Sequence, residues 1–415
     1  MVAPLVLLAL FLLTAAAVTR RPWRISEGWW PLGAVVVALA IGAISVATVA
    51  RGLSSSLDVL AFFAGLLLLA WALRVTGMLG RLLDQMEEWS QNDPRRLLAT
   101  VALVTVVVTA LISNDAAALV LAPEVLDRLQ RRGLSLTPFV LTMAFTANAA
   151  SALLPISNPV NLLILDRSNI ALSTYLAKVT PGATLGVLIT VAGCLLLTGR
   201  GLPQGRAVPA ASSRQSSAHR PLARWVAALI GVLVLTDVGF AVARLPIGPP
   251  TLAAGAVATL LVRSVGGSRQ LPRGLGWSIL GLVAGFSVLA SGLGNSAWLA
   301  TATGWFAGAP AWAAGVSTGL VTALISGVIN NLPAALLVTA GLQAGHHLGT
   351  LALPAIVGAD LGPNLAPFGS LSTILILGAV RSRGQPVPWG HVWRLGLVVG
   401  PLALLPTLCL VALSR

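Results

Sequence analysis

Thr109-Ala110-Leu111-Ile112-Ser113-Asn114-Asp115 interrupts a long apolar stretch, and Thr322-Ala323-Leu324-Ile325-Ser326 repeats its opening before running through Gly327-Val328-Ile329 to Asn330-Asn331. A second polar break follows each. Asn148 … Pro155-Ile156-Ser157-Asn158-Pro159-Val160-Asn161 leads into Leu162-Leu163-Ile164-Leu165. Asp360 … Pro367-Phe368-Gly369-Ser370-Leu371-Ser372-Thr373 leads into Ile374-Leu375-Ile376-Leu377. From Asn148 and Asp360 through Leu165 and Leu377 these two segments align without a gap at an offset of 212. Polar, Pro- and Gly-bearing breaks at matching places in two halves are the sequence mark of a transporter binding site.

The surrounding composition decides the solvent. Hydrophobic residues are 56% of the 415, charged residues 9%, and mean hydropathy is +0.90, which excludes a soluble globular domain and defines an all-α polytopic membrane protein. A net charge of +14 would suit nucleic acid in a soluble chain. Here the basic residues lie in short loops between apolar runs, so they report topology and no nucleic acid is expected. Residues 2–18 precede Arg20, Arg21 and Arg24, the reverse of a cleaved signal peptide, and read as a first transmembrane helix. Cys194 and Cys409 stand in separate apolar runs and form no metal or disulfide framework.

Apolar runs long enough to span predict helices near 2–19, 31–50, 57–73, 137–165, 181–198, 225–243, 247–262, 275–291, 351–378 and 395–413. The stretches 97–127 and 311–342 carry polar tips near their centres and read as re-entrant hairpins. With the first helix running inward and neither hairpin crossing, 21 of 26 basic residues fall on the cytoplasmic side. The exceptions are Arg51, Arg167, Lys178, Arg244 and Arg415. Treating the first hairpin as a full crossing would spoil that count.

Five crossings then precede the central loop, so the halves are inverted repeats of five transmembrane helices plus one re-entrant hairpin each. The predicted boundaries are 1–198 for the first repeat, 199–224 for a cytoplasmic Ser/Gly/Arg/Pro-rich linker, and 225–415 for the second repeat. Residues 77–93 read as an amphipathic helix at the inner interface, and 295–309, with Trp298, Trp305 and Phe306, as its outer counterpart.

Each broken helix exposes backbone ends inside the membrane, where capping side chains are needed. Asn158-Pro159 and Asn331-Leu332-Pro333 have the cap-then-proline form, and Asn114-Asp115 can cap the second arm of the first hairpin. The clusters 113–115, 157–161, 326–331 and 369–373 are expected to converge near the midplane. An Asp at that depth costs roughly 2.5–3.5 kcal/mol, so Asp115 and Asp360 must each fill a role there. For Asp115 proton binding is favoured, because desolvation opposes the charge, and is compatible with helix capping; for Asp360 capping and proton coupling stand level. Glu124 and Asp237 lie nearer helix ends and read as interfacial.

At these residues the chain resembles the arsenite/antimonite efflux permeases, the membrane subunits of arsenical pumps within the ion transporter superfamily. Asn114-Asp115-Ala-Ala-Ala-Leu, Ser157-Asn158-Pro-Val-Asn161, Asn330-Asn331-Leu-Pro333, Asp360-Leu-Gly362-Pro363 and Gly369-Ser370-Leu-Ser-Thr373 carry the resemblance, which runs from about residue 60 to the C-terminus. It implies efflux of trivalent arsenic or antimony as the neutral hydroxide, by proton antiport across the inner (plasma) membrane, through an elevator-type fold. It implies no cofactor, and a separate ATPase subunit or a homodimer as protein partners. Ser113, Asn114, Asn158, Asn161, Asn330, Asn331, Gly369, Ser370 and Thr373 would hold the cargo, with Asp115 and Asp360 carrying protons. Two positions depart from the family pattern: Asn148 where an Asp is expected, and Asn364 where Lys usually follows Gly-Pro. Losing an acid and a base together keeps the local charge balanced, which suggests that the two were once partnered.

Two rivals share the scaffold, a sodium/proton antiporter and a carboxylate importer. None of the four clusters holds the basic residue that a carboxylate would want. An intramembrane enzyme is disfavoured, because there is no HExxH and His219, His346, His347 and His391 all lie in loops or at helix ends. An ATPase within the chain is excluded, since the one lysine, Lys178, follows no glycine-rich loop.

Overall fold

The computed structural model describes residues 2–20, 25–202, 220–243, 245–264, 276–294 and 296–414, and every regular element among them is helical. The first half runs α1 (Val2–Arg20), α2 (Trp29–Ala40), α3 (Val46–Ser54), α4 (Leu57–Val75), α5 (Met78–Ser90) and α6 (Pro94–Leu111). It continues with α7 (Asn114–Ala116), a π turn (Ala117–Leu121), α8 (Ala122–Arg131), α9 (Leu136–Ala150), α10 (Pro159–Ser168), α11 (Leu172–Lys178) and α12 (Thr180–Thr198). The second half runs α13 (Arg220–Val242), α14 (Gly248–Ser264), α15 (Ser278–Leu293), α16 (Ala297–Ala307) and α17 (Ala311–Ile329). It closes with α18 (Asn331–Ala344), α19 (Leu348–Leu361), α20 (Leu371–Arg381) and α21 (Trp389–Leu413).

Among the described residues five helices are long and apolar enough to cross a membrane alone: Leu57–Val75, Pro94–Leu111, Thr180–Gly201, Ala311–Ile329 and Trp389–Leu413. Other predicted spans are built from shorter pieces. The helix expected over 31–50 is two, because Gly42 turns the chain at φ +71° and Ser45 starts α3 by accepting the Thr48 N–H at 3.2 Å. Large apolar side chains such as Leu13, Val36, Leu188, Leu235, Leu260 and Leu397 face outward, a surface suited to lipid. Residues 203–219 of the predicted linker lie outside the described residues, as do the side chains of Trp305 and Phe306.

The helices pack in two groups, each drawn from both halves of the chain, and the groups share one apolar core where α15 meets α18. In one, α4 lies along α14 and α15 packs on α1, α2 and α3. In the other, α12 packs on α9 and α21, α17 on α19, and α20 on α9. Helices α5 and α16 connect them. α5 buries Gly80, Leu83, Met86 and Ser90 along one stripe, as the amphipathic pattern predicts. α16 leaves α15 at 87°, and Trp298 is half-buried against the core.

Each predicted hairpin folds back on the helix that precedes it. α6 starts four residues after α5 ends, and α8 returns to α5: Arg128 bonds Asp84 at 2.6 Å and the Gly80 carbonyl at 3.0 Å, and Arg132 bonds Glu87 at 2.7 Å. Both feet of 97–127 therefore stand on one helix. The second hairpin does the same on α16, where Thr303 donates to the Gly341 carbonyl near the end of α18 at 3.0 Å. Each stretch is broken at its polar tip, between α6 and α7 and between α17 and α18.

Candidate functional site

The first tip is shaped by Ser113, whose extended backbone and Oγ, accepting the Ala116 N–H at 3.0 Å, start the second arm. Capping thus falls to Ser113 and not to Asn114 or Asp115. Asp115, only 8% exposed, has no hydrogen-bond partner among the described residues. At the second tip the cap also moves by one residue: Asn330 precedes the helix and accepts the Leu332 N–H at 3.4 Å, while Asn331 opens it and accepts the same N–H at 2.9 Å. The repeated string does not place its serines alike. α6 ends before Ser113, whereas α17 continues past Ser326, whose hydroxyl donates to the Ala359 carbonyl at 3.2 Å.

The two helix breaks match the gap-free alignment. Asn158 caps α10 through the Val160 N–H at 3.2 Å, with Pro159 in its first turn, and Ser370 caps α20 through the Thr373 N–H at 3.0 Å. Each break is tied to a hairpin tip. Ser157 donates to the Ala110 carbonyl at 3.0 Å, and the Asn331 N–H donates to the Gly369 carbonyl at 2.8 Å. Gly369 also packs directly on Pro363, where a Cβ would lie 2.4 Å from the Pro363 Cα.

The breaks also exchange partners across the centre. Asn148 donates through Nδ2 to Asn364 Oδ1 at 3.0 Å and Thr373 Oγ1 at 2.9 Å, and its Oδ1 accepts from Ser370 at 2.8 Å and Ser372 at 3.2 Å. The two departures from the family pattern are thus direct partners, with Asn364 held further by the Phe145 carbonyl at 3.0 Å. In the reciprocal position Asn158 donates to Asp360 Oδ1 at 2.6 Å. Asn161 faces the same carboxyl. Its Nδ2 is committed to the Ser151 carbonyl at 2.9 Å, leaving Asn161 Oδ1 and Asp360 Oδ2 both buried without partners.

Asp115, Asn158, Asn330 and Asn331 meet around a crevice of about 20 Å³, closed by Phe63, Ile279 and Leu371. A water needs roughly 10–15 Å³, so one water fits and a larger solute does not. Asp115 and Ser113 also line a second cavity of about 90 Å³ that runs past Trp71 to Arg74. The Nδ2 of Asn330 and the Oδ1 of Asn114 are buried without partners. Asn161, Ser370 and Thr373 stand one layer behind the crevice, where they hold Asn148 and Asp360. Among the described residues no basic side chain lines the crevice.

The sequence reading missed three groups. Asp237, expected at the interface, is 5% exposed and accepts from Thr251 at 3.2 Å. Tyr175 is fully buried and donates to the Ala152 carbonyl at 2.7 Å, bracing the first break; its being the chain's one tyrosine was the available signal. Glu27 is 7% exposed in a loop that the apolar pattern leaves unmarked.

Helices interrupted at their centres, polar tips converging on a small closed crevice, and an apolar outer surface define a multi-pass membrane transporter rather than an enzyme. Residues 8–358 match the citrate transporter family (CitMHS), and the chain belongs to it. Along nearly its whole length it is similar to the arsenical pump membrane protein of Escherichia coli, with 28% identity over 426 residues covering 98% of this chain and 97% of that one. The arsenical pump membrane protein of Yersinia enterocolitica is also 28% identical, with the same coverage. The resemblance drawn from the motifs therefore extends to the first helices. Among solved structures the fold matches the YdaH transporter of Alcanivorax borkumensis, described as having an unusual topology, with TM-score 0.60 and 17% identity over 99% of this chain and 98% of that one.

Proposed function

We propose that the protein exports trivalent arsenic, and antimony, as the neutral hydroxide from the cytoplasm across the inner membrane in exchange for protons. The observation that carries this reading is the crevice: an unpartnered carboxyl, Asp115, beside the unpartnered Asn330 amide and the Asn158 and Asn331 side chains, with no cation among them. An uncharged trihydroxide offers O–H donors to the carboxyl and lone pairs to the amides. A carboxylate such as citrate would meet Asp115 with like charge and find no basic side chain among the described residues lining the crevice, which disfavours the cargo that the family's description suggests. Similarity to arsenical pump membrane proteins over the full chain supports the same cargo.

Ser113, Asn114, Asn158, Asn161, Asn330, Asn331, Gly369, Ser370 and Thr373 form the cargo site and its supporting layer, with Asp115 and Asp360 as proton carriers. The shared order of elements in the two halves, and the twin caps at Asn158 and Ser370, support inverted repeats 1–198 and 225–415 joined by the linker 199–224. The two packed bodies support an elevator, in which the hairpin-bearing body slides against the other. A separate ATPase subunit and a homodimer are partners compatible with this assignment.

Everted vesicles given an acid interior are expected to accumulate arsenite without added sodium. A protonophore and Asp115→Asn should each abolish that uptake. Accumulation untouched by both would refute the coupling, and strict dependence on sodium would favour a sodium/proton exchanger.

A further inference from the structure

A pocket of about 370 Å³ lies between α4 and α13 on one side and α5, α6 and the first hairpin on the other. α13 packs on α14, and α6 on α9, so the two sides belong to the two groups of helices. The volume falls in the roughly 300–1,000 Å³ range of pockets that hold a small organic ligand. Its walls are apolar, among them Leu73, Leu79, Ile230, Val107 and Leu111. Val107 is 45% and Leu111 46% exposed on the outer side of α6, so the pocket opens sideways onto the surface suited to lipid. Among the described residues its polar side chains are Arg81 and Gln85, one turn apart on α5. Arg81 belongs to a stretch assigned to the cytoplasmic side. Two acids of the same helix, Asp84 and Glu87, are taken by Arg128 and Arg132 of the first hairpin. Among the described residues Arg81 is left without an ion-pair partner. The pocket also shares Ala116 and Val120 with the 90 Å³ cavity at Asp115.

We infer that this pocket is a phospholipid site: an acyl chain of an anionic lipid from the cytoplasmic leaflet fills it, and the lipid phosphate sits on Arg81 and Gln85. Lipid tails are as apolar as the pocket walls, so the chain fills the space without itself supplying much affinity. Affinity and selectivity come from the polar end, where a guanidinium and an amide offer N–H donors to phosphate oxygens. A zwitterionic headgroup brings the same phosphate but sets its own ammonium beside Arg81, so anionic lipid is preferred. The bound chain touches both groups of helices and braces the first hairpin in its present place against α4. The site stands whatever the cargo is, and its test reads no transport.

The test uses the purified full chain in neutral detergent and phosphatidylglycerol that carries a photoreactive diazirine near the end of one acyl chain. Saturable labelling is expected in the peptides that hold Leu73, Leu111 and Ile230. Unlabelled phosphatidylglycerol should compete about fivefold better than phosphatidylcholine with the same chains, the preference that one interfacial arginine supplies. Arg81→Gln should bring the two lipids to within about twofold of each other, and Arg81→Lys should keep most of the preference because the charge remains. Val107→Trp, which fills the pocket from its open side, should remove the labelling there. Labelling of the other outer helices should be unchanged in each variant, which reports that it is folded. Glycerol phosphate should leave the labelling in place; displacement by it as effective as by lipid would overturn the lipid assignment in favour of a free anion. Labelling no denser in these peptides than elsewhere, or competed equally by phosphatidylcholine, would mean surrounding lipid only and overturn the site. Labelling that Val107→Trp leaves unchanged would overturn the pocket as its place, as would a pocket that labels only once a dimer is dissociated, because a second copy would then cover it.

Discussion

Asn330 adopts φ +80° and ψ 151°, a backbone region that only glycine occupies without penalty, at a cost of about 1–3 kcal/mol. The strain falls at a hairpin tip, on a residue whose unpartnered amide faces the crevice. Asn330→Gly is therefore expected to raise thermal stability in detergent by about 1 kcal/mol while weakening apparent arsenite affinity by about tenfold, both measurable on one purified sample. The Asn148–Asn364 pair makes a second prediction. Asn148→Asp sets an oxygen against Asn364 Oδ1, a contact of 3.0 Å, and should cost about 1–3 kcal/mol. Adding Asn364→Lys should recover part of that loss, giving a coupling of about 1–2 kcal/mol in a double-mutant cycle of unfolding. Additive losses would contradict the pairing.

The interfacial helix α5 and the first hairpin form one mechanical unit. Arg128, 5% exposed, is held by Asp84, Glu87 and the Gly80 carbonyl, and Arg132 shares Glu87. Removing Arg128 leaves the Glu87 carboxylate half-paired in a largely buried place. Arg128→Ala should lower stability by about 2–3 kcal/mol, read as a fall in Tm, and Arg128→Lys should not rescue it because one ammonium cannot span three acceptors in a plane. The far end of α20 is tied to the same hairpin, since Arg383 bonds Asp127 at 2.5 Å and the Pro123 carbonyl at 2.8 Å. Both breaks and both tips are thus tied together, through Arg383 on the first hairpin and through the Ser157–Ala110 and Asn331–Gly369 hydrogen bonds.

The opposite wall of the crevice comes from the other body, through Phe63 of α4 and Ile279, Leu282 and Val283 of α15. Sliding one body past the other would open a crevice that has room for only a single water. In a protein with Cys194 and Cys409 replaced, oxidation of the pair Val283→Cys and Leu332→Cys, which face the same crevice, is expected to stop uptake, and reduction to restore it. Full uptake by the cross-linked protein would rule out relative movement at this interface.

Much of this molecule was legible in its sequence, because a bilayer leaves a buried chain few options. Backbone groups that leave a helix there must be capped, so Pro, Gly, Asn and Ser mark the breaks at Asn158 and Ser370, and the arginines mark the feet of the first hairpin. Local signals fixed caps to within about one residue; Asn330 rather than Asn331 begins the second tip because backbone angles, not residue type, decided it. Partnership across the fold was legible once, in the paired departures at Asn148 and Asn364, which meet from 216 positions away. The linear pattern gave no sign that Asn158 meets Asp360 from 202 positions away or that Glu27 meets Ser278 from 251. Hydrogen bonds between such distant residues depend on how helices far apart in the chain pack, and the tertiary structure alone settles that. It also distinguishes side chains that line the crevice from those that brace it, since both are polar residues at helix breaks.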